Sequence, residues 1–323
     1  MPDSIRVSIV IPAYNHANHL EMAINSVLYQ DYDNIELIVL DDGSSDDTPE
    51  VLNKYNGRFY WESQPNMGQA ATLNKGWQMS SGDILSYLSA DDVLSKSAVS
   101  ISVQVLENHP DVVLTYGDFN LIDAHDSVIR RVNAPEFNYA CMVIEQACPP
   151  GPGVFFRRDA FVSAGLWDDQ FKQIPDYEYW LRLGLIGDFK RIPRTLASFR
   201  VHPKSLTFSK ADLPRAKEPI KAIEKYFRRN DVPDILVNQK PAALSNANLM
   251  SAQLHLRSGR YLLGYYYLKK SIYLYPKNIL KSKSLHRISS GFFNRMFYHS
   301  IFLFNQIKKV IVQILTKTKM TRP

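Results

Sequence analysis

The sequence predicts an α/β protein built on a doubly wound sheet, and three observations support this prediction. Apolar runs of strand length alternate with segments whose apolar residues recur at helical spacing. The first run, residues 5–13, is almost continuously apolar, as expected for a strand buried on both faces of a parallel sheet. Polar clusters follow three of the strands at their carboxyl ends, where ligands bind in folds of this class.

The spacing of apolar residues assigns the elements in order. We predict further strands over residues 35–40, 59–61, 84–88 and 196–199. We predict helices over residues 17–29, 48–56, 69–79 and 96–108. The helix over 48–56 has Ser45 or Asp46 as its predicted N-cap.

Length and charge predict how the chain is divided. At 323 residues it exceeds one average domain. Residues 1–234 carry all 32 Asp and Glu against 23 Lys and Arg, whereas residues 235–323 carry 15 Lys and Arg and no acid. We predict an α/β domain over 1–214, a helical region over 215–285 and a basic tail over 286–323. Within the helical region, residues 242–275 resemble a single tetratricopeptide hairpin.

The basic tail interleaves large apolar residues with cations. This composition favours an amphipathic helix on an anionic membrane surface, and the alternative is a terminal helix packed on the domain. No nucleic-acid partner is expected, because apolar bulk dominates the tail. Cys141 and Cys148 are too few for a disulfide framework, and no signal peptide is recognised. We therefore expect a cytoplasmic protein, peripheral on the inner face of the cytoplasmic membrane.

Asp91 and Asp92 follow the predicted strand over 84–88. Mg²⁺ and Mn²⁺ typically bind through one or two carboxylates, with substrate phosphates filling the remaining positions. The placement suggests a metal site for a phosphorylated substrate. The alternative is an Asp pair that caps the helix starting near Ser95.

Four motifs in order resemble the family 2 glycosyltransferases, inverting enzymes with the GT-A fold. They are residues 7–15 (VSIVIPAYN), 40–48 (LDDGSSDDT), 66–76 (NMGQAATLNKG) and 89–92 (SADD). With three later segments at 151–159, 165–171 and 174–183, the resemblance extends from residue 5 to about 205. It implies a GT-A catalytic domain with a mixed doubly wound sheet, followed by the helical extension.

The resemblance also implies donor-side roles. Asp92 would bind the metal directly, and Asp91 would hold the donor ribose or share the metal. Asp42 would accept a hydrogen bond from the nucleobase, in a pocket walled by Pro12 and Tyr14; the alternative for Asp42 is a turn residue before a glycine. The other donor-binding positions are Asn15, Gly43, Asn66, Gly68 and Lys75. Ser89 stands where many members carry Asp or Asn.

On the acceptor side, Asp176 aligns with the general base of the family. Such a base is needed because the acceptor hydroxyl must lose its proton as the nucleotide leaves from the opposite face of the sugar, which inverts the anomeric configuration. The alternative for Asp176 is the N-cap of the next helix. Pro175 replaces the acidic residue that often precedes the base. His202 is either a second metal ligand or a surface histidine.

The expected function is that of an inverting glycosyltransferase dependent on Mn²⁺ or Mg²⁺. The expected donor is a nucleotide-diphosphate sugar, with a UDP-sugar favoured. The expected acceptor is a hydroxyl of a growing or lipid-linked glycan, in surface polysaccharide synthesis. Two alternatives are a non-catalytic sugar-nucleotide or glycan-binding protein of the same fold, and a nucleotidyltransferase. The second lacks support, because no Gly-rich, Lys-bearing phosphate loop follows the first strand.

Overall fold

The structure, a computed structural model, describes residues 4–202 and 209–278. The strands are β1 (Val7–Ala13), β2 (Ile35–Asp41), β3 (Tyr60–Ser63), β4 (Ile84–Tyr87), β5 (Val93–Leu94), β6 (Val112–Ile122), β7 (Val128–Val132), β8 (Phe155–Arg157) and β9 (Asp188–Arg200). The helices are α1 (Ala17–Leu28), α2 (Thr48–Asn53), α3 (Gln69–Met79), α4 (Ala98–Asn108), α5 (Tyr139–Glu145), α6 (Arg158–Ala164), α7 (Pro175–Leu183), α8 (Leu213–Tyr226), α9 (Asp234–Val237), α10 (Lys240–Arg257) and α11 (Tyr261–Leu274).

These nine strands form one mixed sheet in the order β3-β2-β1-β4-β8-β6-β9-β5, with β7 paired to β6. The strands β3, β2, β1 and β4 are mutually parallel, β8 is antiparallel to β4 and β6, and β9 runs parallel to β6. The predicted α/β fold with a mixed sheet is confirmed. The first four strands are the part that the alternation of apolar segments predicted.

The strand register brings three polar clusters to one edge. Ala13 of β1 is the partner of Asp41 in β2, and Asp41 is the partner of Ser63 in β3. On the other side of β1, Val10 is the partner of Tyr87, the last residue of β4. Because β2 and β4 flank β1 on opposite sides, the winding reverses at this point, and folds of this class bind ligands in a crevice beyond the carboxyl ends of the strands.

Aromatic packing supports the sheet behind this crevice. The ring of Trp77 in α3 lies edge-on to the rings of Phe156, Phe161 and Trp167, with centroids 5.4–5.6 Å apart. Trp167 and Trp180 are both almost fully buried. Such edge-to-face pairs contribute beyond their buried area, so these aromatic residues belong to the core and not to an open sugar platform.

The strand β6 escaped prediction from the apolar pattern. It carries Gly117 and Asp118 in its middle, and its register with β9 shifts on both sides of Asp118. A glycine and a carboxylate inside a strand disfavour a strand assignment from sequence. Here the Asp118 carboxylate is buried but paired with Arg131 and Arg191, which makes the position tolerable.

The chain divides into two compact units. One consists of residues up to 209 with 225–237, and the other of residues 210–224 with those from 238 onward. The second unit contains the hairpin of α10 and α11. The predicted tail over 286–323 lies outside the described residues. Within the ranges 4–202 and 209–278, no helix is both long and apolar enough to cross a membrane.

Two glycines with left-handed backbones provide a matched test of the turn after β2. A Cβ on Gly43 (φ 76°) would lie 2.9 Å from the Asn66 nitrogen, whereas a Cβ on Gly57 (φ 79°) would meet nothing within 4 Å. We expect Gly57→Ala to cost about 1 kcal/mol of unfolding free energy and Gly43→Ala about 3 kcal/mol, because only Gly43 adds a backbone clash to the strained φ. Urea unfolding measures both, and equal losses would contradict the close approach.

Candidate active site

Asp42 directly follows β2 at the polar edge of the sheet. It is buried, and its carboxylate accepts hydrogen bonds from the backbone nitrogens of Met67 and Gly68, both at 2.8 Å. It also accepts one from Gln64 Nε2 at 3.1 Å, while Asn66 Nδ2 donates to its backbone oxygen at 2.9 Å. The carboxylate therefore fixes the loop over 64–68 against the end of β2. Oδ1 accepts two of these hydrogen bonds, whereas Oδ2 accepts one and keeps a second lone pair with which to accept from a ligand.

The turn role considered for Asp42 belongs instead to its neighbour Asp41. The Asp41 carboxylate accepts from the Ser44 nitrogen at 3.0 Å and from Ser63 Oγ at 2.7 Å. These contacts fix the loop that follows β2 and join it to the end of β3. The Asp42 carboxylate instead contacts the loop over 64–68 and remains able to bind a ligand.

Asn15 joins the first two loops of the edge. Its φ is 57°, its Oδ1 accepts from the Ser45 nitrogen at 2.8 Å, and its own nitrogen donates to Ser44 Oγ at 2.9 Å. Gly43 lies in the same turn, and Gly68, with φ 86°, precedes α3. Asn15 therefore shapes this edge through its side chain and its backbone, and the two glycines do so through their backbones.

Lys75 is engaged within the protein. Its ammonium pairs with the Glu62 carboxylate and donates to Gln64 Oε1 at 2.9 Å. Because Gln64 also binds Asp42, the lysine supports the loop at one remove. The predicted direct contact between Lys75 and the donor gains no support from this arrangement.

Pro12 and Tyr14 lie at the end of β1, on the same edge. The Asp42 nitrogen donates to the Ala13 oxygen at 2.7 Å, which sets Tyr14 next to the Asp42 loop along the edge. The Tyr14 side chain is 48% exposed. An exposed aromatic ring beside a carboxylate offers a planar base both a stacking face and a hydrogen-bond acceptor.

Asp91 and Asp92 lie in a tight turn after β4, and their environments differ. Asp92 is 3% exposed, and its Oδ1 accepts from the Arg200 nitrogen at 2.9 Å. Asp91 is more accessible, and its Oδ2 is hydrogen-bonded to His202 Nε2 at 2.8 Å. The two do not cap the next helix, because α4 begins at Ala98 with Ser97 in the cap position.

The same environments move the two pKa values in opposite directions. Burial, and next the charge of Asp91, raise the pKa of Asp92 well above the ordinary carboxyl range. Burial also acts to raise the pKa of Asp91, but the hydrogen bond from His202 and the charges of His16 and His202 outweigh it and lower that pKa. Asp91 is thus the carboxylate held in its anionic form.

The carboxylates of this turn fit a divalent cation for which the substrate supplies further ligands. Within residues 4–202 and 209–278, no group of three or more His, Cys, Asp or Glu side chains is placed to hold a metal alone. Two adjacent carboxylates still suit Mg²⁺ or Mn²⁺ when substrate phosphates supply further ligands, and a cation would relieve the repulsion at Asp92. Asp91 is the more accessible of the two carboxylates, whereas Asp92, the predicted direct ligand, is almost fully buried. His202, predicted as a ligand, is placed to orient Asp91.

Arg200 is a site residue that sequence reasoning missed. Its side chain is fully buried at the end of β9. There Nε donates to the backbone oxygen of Asp91, and a terminal nitrogen donates to the backbone oxygen of Asp123, both at 2.8 Å. It also pairs with Asp126 at 2.6 Å. Its proximity to His202 in sequence was the available signal, but only the fold shows that it anchors the Asp91–Asp92 turn.

Asp176, the predicted general base, lies in the first turn of α7. The N-cap position is Ile174, so the alternative assignment of Asp176 as N-cap is wrong. The carboxylate accepts from the Tyr177 nitrogen at 2.8 Å. Burial raises the pKa of Asp176, and this hydrogen bond offsets only part of the rise. A carboxylate with a raised pKa is a better proton acceptor than an ordinary one.

An ion-pair network holds α7 in place. The Glu178 carboxylate receives both Nε (3.0 Å) and a terminal nitrogen (2.9 Å) of Arg182, one turn further along the helix. Lys225 reaches Glu178 at 2.7 Å and Asp168 at 2.6 Å. Because the loop over 164–168 also binds Arg182, the helix that carries Asp176 is fixed to its surroundings.

Tyr87 connects the two sides of the site and was also missed. Its ring lies at the end of β4, edge-on to Trp167 with centroids 5.3 Å apart. Burial, then the charges of Asp176, Cys148 and Asp92 in that order, raise the pKa of the Tyr87 hydroxyl, which therefore stays protonated. Asp176 and Asp92 thus both influence the same hydroxyl. In sequence, Tyr87 is one more residue of an apolar strand.

The family comparison agrees with the motifs. Residues 8–161 match the model of glycosyl transferase family 2. An uncharacterized glycosyltransferase of Rickettsia prowazekii is 30% identical over 210 residues, which is 62% of this chain and 65% of that protein. A hyaluronan synthase of Pasteurella multocida is 27% identical over 213 residues, 65% of this chain and 22% of that protein. The chain therefore spans less than two thirds of the length of these relatives. By sequence, residues 8–161 are similar to glycosyl transferase family 2.

Solved structures with the same fold are glycosyltransferases. Residues 1–349 of S. aureus TarS, in complex with UDP-GlcNAc, align with a TM-score of 0.61 at 14% identity, covering 88% of this chain and 91% of that chain. The mannosyltransferase PcManGT from Pyrobaculum calidifontis, in complex with GDP-Man and Mn²⁺, aligns with a TM-score of 0.59 at 15% identity, covering 89% and 84%. The fold is that of the GT-A glycosyltransferases.

The different environments of the two carboxylates predict different effects of removing each charge. We expect Asp91→Asn to weaken Mn²⁺-dependent UDP binding by more than about 100-fold, and Asp92→Asn by about 10-fold, because the side-chain amide oxygen introduced by Asp92→Asn can still accept from the Arg200 nitrogen. Titration calorimetry with UDP at fixed Mn²⁺ measures both. The reverse order would return the ligand role to Asp92.

Proposed function

We propose that this protein is an inverting, metal-dependent glycosyltransferase that moves a sugar from a nucleotide diphosphate to a hydroxyl of a growing glycan. One observation carries the proposal. The charge of Asp176 and, more weakly, that of Asp92 both raise the pKa of the Tyr87 hydroxyl at the end of β4, and the pKa of Asp176 is itself raised by burial. A proton acceptor and a diphosphate-binding edge therefore share one crevice, as a single displacement requires.

The donor is held at the edge formed by β1 and β2. Asp42 accepts a hydrogen bond from the base while it holds the loop over 64–68, and the Tyr14 ring stacks on the base. Both uracil and guanine present a ring N–H. Of the solved structures with the same fold, TarS was solved with UDP-GlcNAc and PcManGT with GDP-Man. We favour a UDP-sugar.

The cation belongs to the Asp91 side of the crevice. When bound, Mn²⁺ or Mg²⁺ supplies neutralisation of the charge that develops on the leaving diphosphate. Asp91 holds it, His202 orients the Asp91 carboxylate, and Arg200 fixes the turn through the nitrogen that binds Asp92. The mannosyltransferase PcManGT, whose structure is similar to this one, was solved with Mn²⁺, which supports this choice of ion.

Asp176 acts as the general base. The acceptor oxygen attacks the anomeric carbon as its proton passes to the Asp176 carboxylate, and the bond from that carbon to the diphosphate oxygen breaks on the opposite face. One displacement inverts the anomeric configuration and needs no carboxylate nucleophile. The Tyr87 hydroxyl, kept protonated, donates a hydrogen bond to a substrate oxygen between the two faces.

The acceptor is a surface polysaccharide or a lipid-linked glycan. Two features support this choice: similarity to a hyaluronan synthase and a basic, apolar tail over residues 286–323. Cations and large apolar side chains in alternation suit the boundary of an anionic bilayer. We therefore propose a cytoplasmic enzyme that works at the inner membrane face, where such acceptors are presented.

Removing the proposed base should separate catalysis from binding. We expect Asp176→Asn to lower kcat by about 10²- to 10⁴-fold and leave the donor Kd unchanged. Asp159→Asn is a matched control, since Asp159 also lies in the first turn of a helix and accepts from the next backbone nitrogen, at 2.7 Å. In the wild type, kcat should rise with pH through an apparent pKa above the ordinary range of an Asp carboxyl, because only deprotonated Asp176 accepts the proton.

The measurements are donor turnover across UDP-, GDP- and dTDP-sugars with Mn²⁺, and donor binding by calorimetry. Unchanged turnover in Asp176→Asn would remove the base assignment. Donor binding without turnover in the wild type would favour the non-catalytic binding protein of the same fold.

A further inference from the structure

The helix α11 buries only a narrow stripe. Gly264 lies so close to α10 that a Cβ on it would meet a Leu256 methyl carbon at 2.6 Å. Tyr267 stacks on His255 with ring centroids 5.0 Å apart and an interplanar angle of 4°. Both residues, with the buried Ser271, recur at the three- and four-residue spacing of one helix face. This face of α11 packs against α10.

The opposite side of α11 is apolar and exposed. At roughly 100° per residue, five large side chains fall within an arc of about 120°. We name this the tyrosine face: Leu262, Tyr265, Tyr266, Ile272 and Tyr273. Leu262 and Tyr273 are each 87% exposed. Single exposed apolar residues scattered over a surface are normal in proteins. A contiguous exposed apolar patch such as this one instead indicates an interaction surface.

Positive charge accompanies the tyrosine face. Lys269 projects from the middle of the arc, with its ammonium 4.9 Å from the centre of the Tyr265 ring, and Lys270 lies at the margin of the arc. From residue 235 onward the sequence has no Asp or Glu at all. The surface therefore combines apolar side chains with cations that no nearby acid in sequence neutralises.

We propose that the tyrosine face of α11 docks onto an anionic lipid bilayer. Tyrosine suits the headgroup boundary, because its ring is apolar and its hydroxyl stays in contact with water or headgroups. Lysines reach anionic headgroups while their stems cover apolar surface. This contact is separate from the tail over 286–323, and it does not depend on the proposed chemistry.

Other occupants suit this surface less well. A second copy paired by a twofold axis would bring the same lysines near one another, which disfavours association. A nucleic acid would meet mostly apolar side chains instead of phosphate-binding groups. The phospholipid surface alone matches both the charge and the apolar area.

The test uses the full chain and large vesicles of phosphatidylcholine, with or without phosphatidylglycerol. We expect the triple variant Leu262→Ser, Tyr266→Ser, Tyr273→Ser to lower the partition coefficient onto anionic vesicles by about tenfold or more, because three apolar contacts are lost. The matched control replaces three exposed apolar residues of the other unit, Val128→Ser, Ile129→Ser and Val162→Ser. Partitioning of the control should stay within about twofold of the wild type.

A fluorophore at the face reports its environment directly. In a Cys141→Ser, Cys148→Ser background, Leu262→Cys carrying an environment-sensitive dye should brighten and shift to the blue with anionic vesicles and not with neutral ones. The dye at Val162→Cys should not respond.

Three results would overturn the proposal: no vesicle binding by the wild type, vesicle binding that the triple variant retains in full, or a dye at Leu262→Cys already shielded without lipid. Concentration-dependent shielding would identify a second copy, and concentration-independent shielding would identify a cover supplied by the chain itself.

Discussion

The buried guanidinium of Arg200 is the constraint on which the candidate site depends. A fully buried cation is tolerated only when its donors are paired, and removal of one partner leaves an uncompensated charge. Arg200 meets this requirement through Asp91, Asp123 and Asp126 while its backbone nitrogen binds the Asp92 carboxylate. The end of β9 therefore determines the shape of the turn after β4. His202, two residues further on, then reaches Asp91.

Electrostatics divides the work among three carboxylates. Asp91 is kept anionic by His202, Asp92 is buried beside it with a raised pKa, and Asp176 has a raised pKa through burial alone. An anionic carboxylate suits a cation, and a carboxylate of raised pKa suits proton transfer. This separation is what a single displacement needs: charge neutralisation on the leaving-group side and a proton acceptor on the other.

Much of the donor half could be predicted from sequence. The elements β1 to β4 and α1 to α4 follow from apolar runs and helical periodicity, because each pattern is local. The roles within the site could not be predicted in the same way. Asp92 and Arg200 are 108 residues apart, so the exclusion of Asp92 from the surface depends on the pairing of β5 with β9. Tyr87 is likewise distinguished only by its neighbours in space. Local motifs place the carboxylates at an edge, and long-range packing decides which one reaches solvent.

The most direct test of the account is the configuration of the sugar that the enzyme first releases. Time-resolved proton NMR of donor hydrolysis, with water as the acceptor and Mn²⁺ present, distinguishes the two anomers before they interconvert. From an α-linked UDP-sugar, a single displacement assisted by Asp176 predicts that the β-anomer appears first. Initial release of the α-anomer would contradict inversion, and with it the role of Asp176 as the base of a one-step transfer.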